Sequence, residues 1–270
     1  MSNLKRLHFF EIEDQSWLPN IIRDCMTNTL IVMHALAGTN KYLPELLARV
    51  LRDTDTTRII DLCSGSGGPM VAAFDILKRK HGLVDLTLKL TDLYPHLPFA
   101  NHINTGSTDD ISYATEPMDA TNIPRTEQGL RTMICSFHHM RPSVAKQILQ
   151  NAQQSRQPIF IYEISDNSHP ILLTLISMPF LFLLCFFITL RVRPMTWQQI
   201  VFTYLIPIIP ICFAWDGTIS NIRTYTQKDM NVLFKDLRTE DYTWETGAIG
   251  GLPSGKLYVI GKPVSSASRL

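Results

Sequence analysis

The segment 58-RIIDLCSGSGGPM-70 decides how this 270-residue chain is read. An apolar, strand-like run, RIIDLC (58–63), enters a loop of small residues and leaves it as a helical pattern, GPMVAAFDILKRK (68–80). Small residues at such a junction let the backbone turn tightly and approach a ligand, and the free N–H groups of the helix start face outward. A nucleoside-type cofactor is implied. Were it a nicotinamide dinucleotide, the G-x-G-x-x-G spacing counted from Gly65 and Gly67 would require Gly or Ala at position 70, where the chain has Met70.

Working outward, strand-like and helical stretches alternate. LTLKLTD (86–92) precedes a short helix near 96–104, and ISYATEPMDA (111–120) reads as a third strand. RTMICSF (131–137) precedes SVAKQILQNAQQ (143–154), and PIFIYEIS (158–165) is a fifth strand. This spacing implies βαβ units. YTWETGAI (242–249) and KLYVIGK (256–262), joined by GGLPSG, read as a terminal antiparallel hairpin, after a helix that starts at a Thr226-x-x-Asp229 capping signal. The predicted class is α/β: a Rossmann-like, mostly parallel seven-stranded sheet. Upstream, apolar residues from Trp17 to Leu36 and in KYLPELLARVLRD predict helices over about 16–53, broken at Gly38 and Asn40.

Composition excludes several classes. Lys+Arg 25 against Asp+Glu 24 leaves a net charge of +1, so no global field exists to hold nucleic acid. Five scattered cysteines without a C-x-x-C argue against a disulfide framework and a zinc knuckle, and fit a reducing compartment. Glu11, Glu13 and Asp14 interrupt the N-terminus before an apolar run can form, unlike a secretory signal.

The glycine loop resembles motif I of the class I S-adenosylmethionine-dependent methyltransferases, D-x-G-x-G-x-G. Asp61, Gly65 and Gly67 match it, with Cys63 where the first glycine usually stands. The resemblance extends to Asp92, matching the acidic residue that meets both ribose hydroxyls. It also covers Asp119 and Ala120, matching the D-A-x-x-x-P element around the adenine, and Ser136 at the end of the fourth strand. It spans roughly residues 55–165 plus the C-terminal hairpin. It implies S-adenosyl-L-methionine as cofactor, held by Asp61, Cys63, Gly65, Gly67, Asp92, Asp119, Ala120 and Ser136. Tyr94 is placed to stack beside the adenine or to serve as packing. In such enzymes the amino-terminal stretch, here with Asp14, Trp17 and Arg23, commonly forms a lid over the donor.

His138 and His139, at the strand end where this family joins donor and substrate, are the catalytic candidates, His139 first; the bland reading is that they shape the pocket floor. No metal is expected, because no His-x-x-x-His or second carboxylate cluster is evident, although His96 and His102 lie nearby. Glu163, Asp216, Arg223 and Tyr225 are substrate-binding candidates. Glu163 has pairing with a basic group as its structural alternative; Asp216 has capping of the next helix, and Arg223 has pairing with Asp216.

Between Pro170 and Trp215 the only charges are Arg191 and Arg193. Residues 171–190 are long enough for a bilayer core of about 20 residues, but 200–215 are short and carry Pro207 and Pro210. A hairpin dipping into one leaflet, with the arginines and Trp197 near head groups, is preferred to full traversal, and a dimerisation surface is the alternative. The chain thus divides into a helical lid (1–54), a methyltransferase domain (55–169 and 216–263) and a membrane-associating insertion (170–215). The expected function is methyl transfer to a small lipophilic or lipid acceptor, O-methylation favoured, at the cytoplasmic face of a membrane. The rivals are a non-catalytic membrane adaptor that keeps the nucleotide pocket, and a nicotinamide oxidoreductase disfavoured by Met70.

Overall fold

Ile59 and Ile60 are fully buried on opposite faces of one strand, which places that strand inside a sheet covered on both sides. The computed structural model describes residues 4–106, 109–250 and 255–264. Its strands are β1 (Arg58–Leu62), β2 (Thr87–Thr91), β3 (Ile111–Tyr113), β4 (Leu130–Ile134), β5 (Ile159–Tyr162), β6 (Tyr242–Ile249) and β7 (Lys256–Pro263). They form one seven-stranded sheet in the order β3-β2-β1-β4-β5-β7-β6, with β1 to β5 parallel and β7 antiparallel to both neighbours. The predicted α/β class, mostly parallel sheet and terminal antiparallel pair are all observed. The GGLPSG turn between β6 and β7 and the chain end fall mainly on 251–254 and 265–270, outside the described residues.

One face is covered by α2 (Thr39–Thr54), α3 (Met70–His81) and α4 (Leu97–Asn104), through Leu43, Leu47, Phe74, Leu77 and Ala100. The other face receives α5 (Pro142–Gln154) and α10 (Gln227–Phe234), through Ile148, Leu149, Leu233 and Phe234. α10 begins with the predicted capping box: the Thr226 hydroxyl accepts from the Asp229 N–H and the Asp229 carboxylate accepts from the Thr226 N–H. β3 is shorter than its sequence suggests. It ends at Tyr113, and residues 114–120 form a loop in which the Met118 N–H donates to the Asp92 carbonyl.

A third core lies away from the sheet. α1 (Asn20–Leu36), α7 (Met178–Thr189) and α9 (Ile208–Arg223) bury Ile22, Met26, Cys185, Ile188, Ile209 and Phe213 against one another. The N-terminal helix α1 thus packs against the apolar insertion, and the two share a core separate from those on the sheet's faces.

Residues 171–190 are not one helix. They divide at Ser177 into α6 (Ile171–Ile176) and α7, with Pro179 in the first turn of α7, where its missing N–H costs nothing. Twelve helical residues rise about 18 Å, against about 30 Å of bilayer hydrocarbon. α8 (Trp197–Ile200) continues as a π-helical turn over Val201–Leu205 and bends by 78° into α9. Among the described residues no single helix is long and apolar enough to cross a membrane, and that bent pair alone meets the length and composition test.

Candidate active site

The sheet order changes direction between β1 and β4, and in open α/β sheets the crevice at the carboxyl ends of such strands receives the ligand. The glycine loop leaves β1 at this point. Cys63 has φ 57°, the left-handed region that glycine prefers, so the position of the family's first glycine keeps glycine-like geometry at the strain of a small side chain. Gly67 has φ 79°, and a Cβ there would lie 2.8 Å from Val71 and 2.9 Å from Phe99. At Gly65, also at positive φ, an added Cβ would meet nothing within 4 Å.

Asp61 is 2% exposed and binds neighbouring strand ends together. Thr132 donates its hydroxyl to Oδ1 at 2.5 Å, Ser64 donates to Oδ2 at 2.7 Å, and the Thr91 hydroxyl donates to the Asp61 carbonyl at 2.8 Å. Burial pushes the Asp61 carboxyl up to about 7 against the lowering effect of the two hydroxyls. Asp61 therefore stands behind the loop as a brace. Asp92, just past β2, is half-buried and faces the loop: Oδ2 accepts from the Gly65 N–H at 2.9 Å and Oδ1 from the Tyr94 N–H. Tyr94 is 83% exposed, which removes packing as the explanation for its position. Asp119 is exposed and folds back on Thr121 N–H and Oγ1, while Ala120 is buried in the core cluster beside β1. Ser136 is buried just past β4, and its Oγ has no hydrogen-bond partner.

Beyond Ser136 a short 3-10 turn, Phe137–His139, presents two imidazoles with centroids 4.3 Å apart. Glu163, just past β5, accepts from the His138 backbone N–H at 2.9 Å, and its Oε2 lies 2.8 Å from His138 Nδ1. Burial works against protonation of His138, but the Glu163 and Glu11 carboxylates outweigh it and raise the ring above its ordinary value. His139 Nδ1 lies 3.1 Å from Asp14 Oδ1. Burial alone would raise Asp14, yet His139 and Arg223 bring its carboxyl below the usual carboxylate range.

The substrate-binding candidates past the insertion have intramolecular partners. Asp216 accepts from the backbone N–H groups of Ile12 and Glu13 at 2.6 and 3.0 Å, instead of capping the next helix. Arg223, 3% exposed, pairs with Glu11 at 2.9 Å and Asp14 at 3.0 Å, not with Asp216. Tyr225 is 1% exposed, donates its hydroxyl to the Met140 carbonyl and lies under the Arg6 guanidinium. These residues hold an N-terminal strap. Arg6 donates to the carbonyls of Arg223 and His138, and the Leu7 N–H donates to the Ile222 carbonyl. The strap carries Asp14 to His139, whereas Trp17 is exposed and Arg23 hydrogen-bonds locally, to Glu13, Gln15 and Asn20. His96 approaches Ser66 at 3.5 Å and stays with the glycine loop.

Sequence reasoning missed Glu11. It is 3% exposed and lies 3.8 Å from the Nε2 atoms of both histidines, one carboxylate oxygen toward each. The available signal was a glutamate beside the apolar run of the strap, FFEIED (9–14), and the 127-residue separation hid its partner.

No protein-family model and no curated protein sequence matches the chain. Among solved structures, the methyltransferase domain of bacterial CtHen1-C superposes with a TM-score of 0.51 at 11% identity, covering 84% of this chain and 99% of that domain. The chain has the class I methyltransferase fold. Lower on the scale are human N-acetylserotonin methyltransferase in complex with SAM (TM-score 0.45, 11% identity, 85% of this chain and 56% of that one) and mitomycin 7-O-methyltransferase MmcR (0.46, 12%, 90% and 55%).

Proposed function

We propose that the chain transfers a methyl group from S-adenosyl-L-methionine to a hydroxyl on a small lipophilic or lipid acceptor, at the cytoplasmic face of a membrane. The observation that carries this reading is the Gly65 N–H held by Asp92 where the sheet order reverses between β1 and β4, together with the unpartnered, buried Ser136 hydroxyl just past β4. The donor fits there. The loop leaves open space over Gly65, and an orphaned buried hydroxyl calls for a polar partner. An all-parallel 3-2-1-4-5-6 dinucleotide sheet would lack the antiparallel β7 beside β5.

In this reading Asp92 receives the ribose hydroxyls, Asp119 and Ala120 border the adenine, and Ser136 faces the polar end of the donor. Asp61 keeps the loop in register without touching the ligand. The donor brings a methyl group on a sulfonium, whose departure as a neutral thioether needs no covalent enzyme intermediate. The chain's own contribution is placement and exclusion of water. His138 and His139 stand at the acceptor side, each ring fixed through Nδ1 by a carboxylate, with Nε2 turned toward Glu11. Arg223, Tyr225 and Asp216 hold the strap that brings Glu11 and Asp14 to them.

The membrane part rests on exposure. Leu173, Ile176, Phe180, Leu183, Phe187 and Leu190, spaced by threes and fours through the Ser177 break, are each more than half exposed. Arg191, Arg193 and Trp197 are exposed beside them, suited to an anionic cytoplasmic leaflet. A helical face of this kind lies in one leaflet without crossing. The test is incubation with methyl-labelled donor and a membrane lipid extract. Label in an organic-extractable product is expected, and donor that binds without any product would overturn the enzyme reading in favour of the adaptor.

A further inference from the structure

Glu11, His138 and His139 bring two imidazoles and one carboxylate together. Their nearest ligand atoms all lie within 4.8 Å of one another. Each imidazole has Nδ1 engaged by its own carboxylate, Glu163 for His138 and Asp14 for His139. That arrangement orients Nε2 as the free lone pair and is the usual outer support of a metal-ligating histidine. Both Nε2 atoms stop 3.8 Å from Glu11 oxygens, too far for a hydrogen bond. A tetrahedral set with bonds of about 2.1 Å has edges of about 3.4 Å, so small side-chain rotations close the site. Glu11 Oε1, on a carboxylate 97% withdrawn from solvent, faces Arg223 as an ion pair but has no hydrogen-bond partner.

We infer that these three side chains bind one divalent transition-metal cation, of the class that takes two imidazoles and a carboxylate, leaving coordination positions open toward the acceptor. The inference deepens the methyl-transfer reading, and it assigns the imidazoles as ligands instead of a general base. No metal was expected from the spacing of the residues, because Glu11 reaches the histidines only through the folded strap. In the proposed reaction an acceptor hydroxyl occupies an open position, and the cation eases loss of its proton to water. The oxygen then forms the new bond to the methyl carbon as the carbon–sulfur pair leaves on sulfur. The competing reading is that the imidazoles only pair with the surrounding carboxylates Glu11, Asp14 and Glu163 and bind no cation.

Cobalt(II) titration of the full chain, stripped with chelator and without donor, separates the two. One equivalent bound with visible ligand-field absorption is expected. Binding should weaken about a hundredfold in His139→Asn, whose site is near the surface, and in Glu11→Gln, and about tenfold in Asp14→Asn. No saturable cobalt binding by the wild type, or equal affinity in folded His139→Asn, would overturn the inference. Should Glu11→Gln fail to fold by circular dichroism, His139→Asn decides alone. Donor binding, titrated separately on the same metal-free protein, keeps failure of this site distinct from failure of the methyl-donor reading.

Discussion

At the carboxyl end of the sheet, Asp61, Ser64, Thr91 and Thr132 direct their polar atoms at one another inside the protein. Along α6 and α7, apolar side chains such as Phe180 and Phe187 face outward although the same helices bury Cys185 and Ile188. The first region is closed, with its demands met internally. The second has more apolar surface than its own core can use. Just past β4 the buried Ser136 hydroxyl has no partner within the protein, while along α6 and α7 an apolar stripe stays exposed.

The comparison is broken most directly by charging the outer stripe. Phe180→Glu, Leu183→Glu and Phe187→Glu together remove three exposed apolar side chains, each worth roughly 1.5 to 3 kcal/mol when buried. Co-sedimentation with anionic vesicles should fall more than a hundredfold while the melting curve hardly moves. Unchanged pelleting of the folded triple variant would end the membrane reading. The next largest effect concerns pH. The folded-state pKa of Asp61, raised to about 7, exceeds its unfolded value of about 3.9, so the folded state binds the proton more tightly. Its contribution is full below about pH 4 and is lost as pH rises through about 7. Asp61→Asn should therefore flatten the fall in stability between those limits, by about 4 kcal/mol at most. Denaturant midpoints at pH 4.5 and 7.5 that shift in parallel in both proteins would contradict the brace. Inside the annex, Ile188→Ala should cost about 3 kcal/mol in chemical unfolding, since Ile188 is 2% exposed in the core it shares with α1. A change below about 1 kcal/mol would mean that the annex is not packed as described.

Much of the closed region was legible because its signals are local. The 58–70 segment carries strand, loop and helix start in thirteen residues, and Thr226 with Asp229 marks a helix start by their spacing alone. Asp92 was legible from its place at the end of β2. The annex was harder to read. Residues 171–190 are apolar on every side, so periodicity gives no cue to the turn at Ser177, and Pro179 is the sole local mark. The pairing of α1 with α7 and α9 joins residues well over a hundred positions apart in one core, Ile22 and Ile188 among them. Arg223 and Tyr225 stood in a polar stretch that suited a substrate as well as an internal partner. Only the path of the strap, fixed by Arg6 and Asp216, shows that they point inward. Glu11 was invisible for the same reason.

The glycine loop and Asp92 are proposed to hold S-adenosyl-L-methionine. Calorimetric titration of that donor into the wild type and into Asp92→Ala tests it most directly. One saturable site is expected in the wild type, weakened at least about tenfold in a variant that melts as the wild type does, in keeping with loss of a charge-assisted hydrogen bond. Equal affinity in the two proteins, or no heat of binding in either, would contradict it.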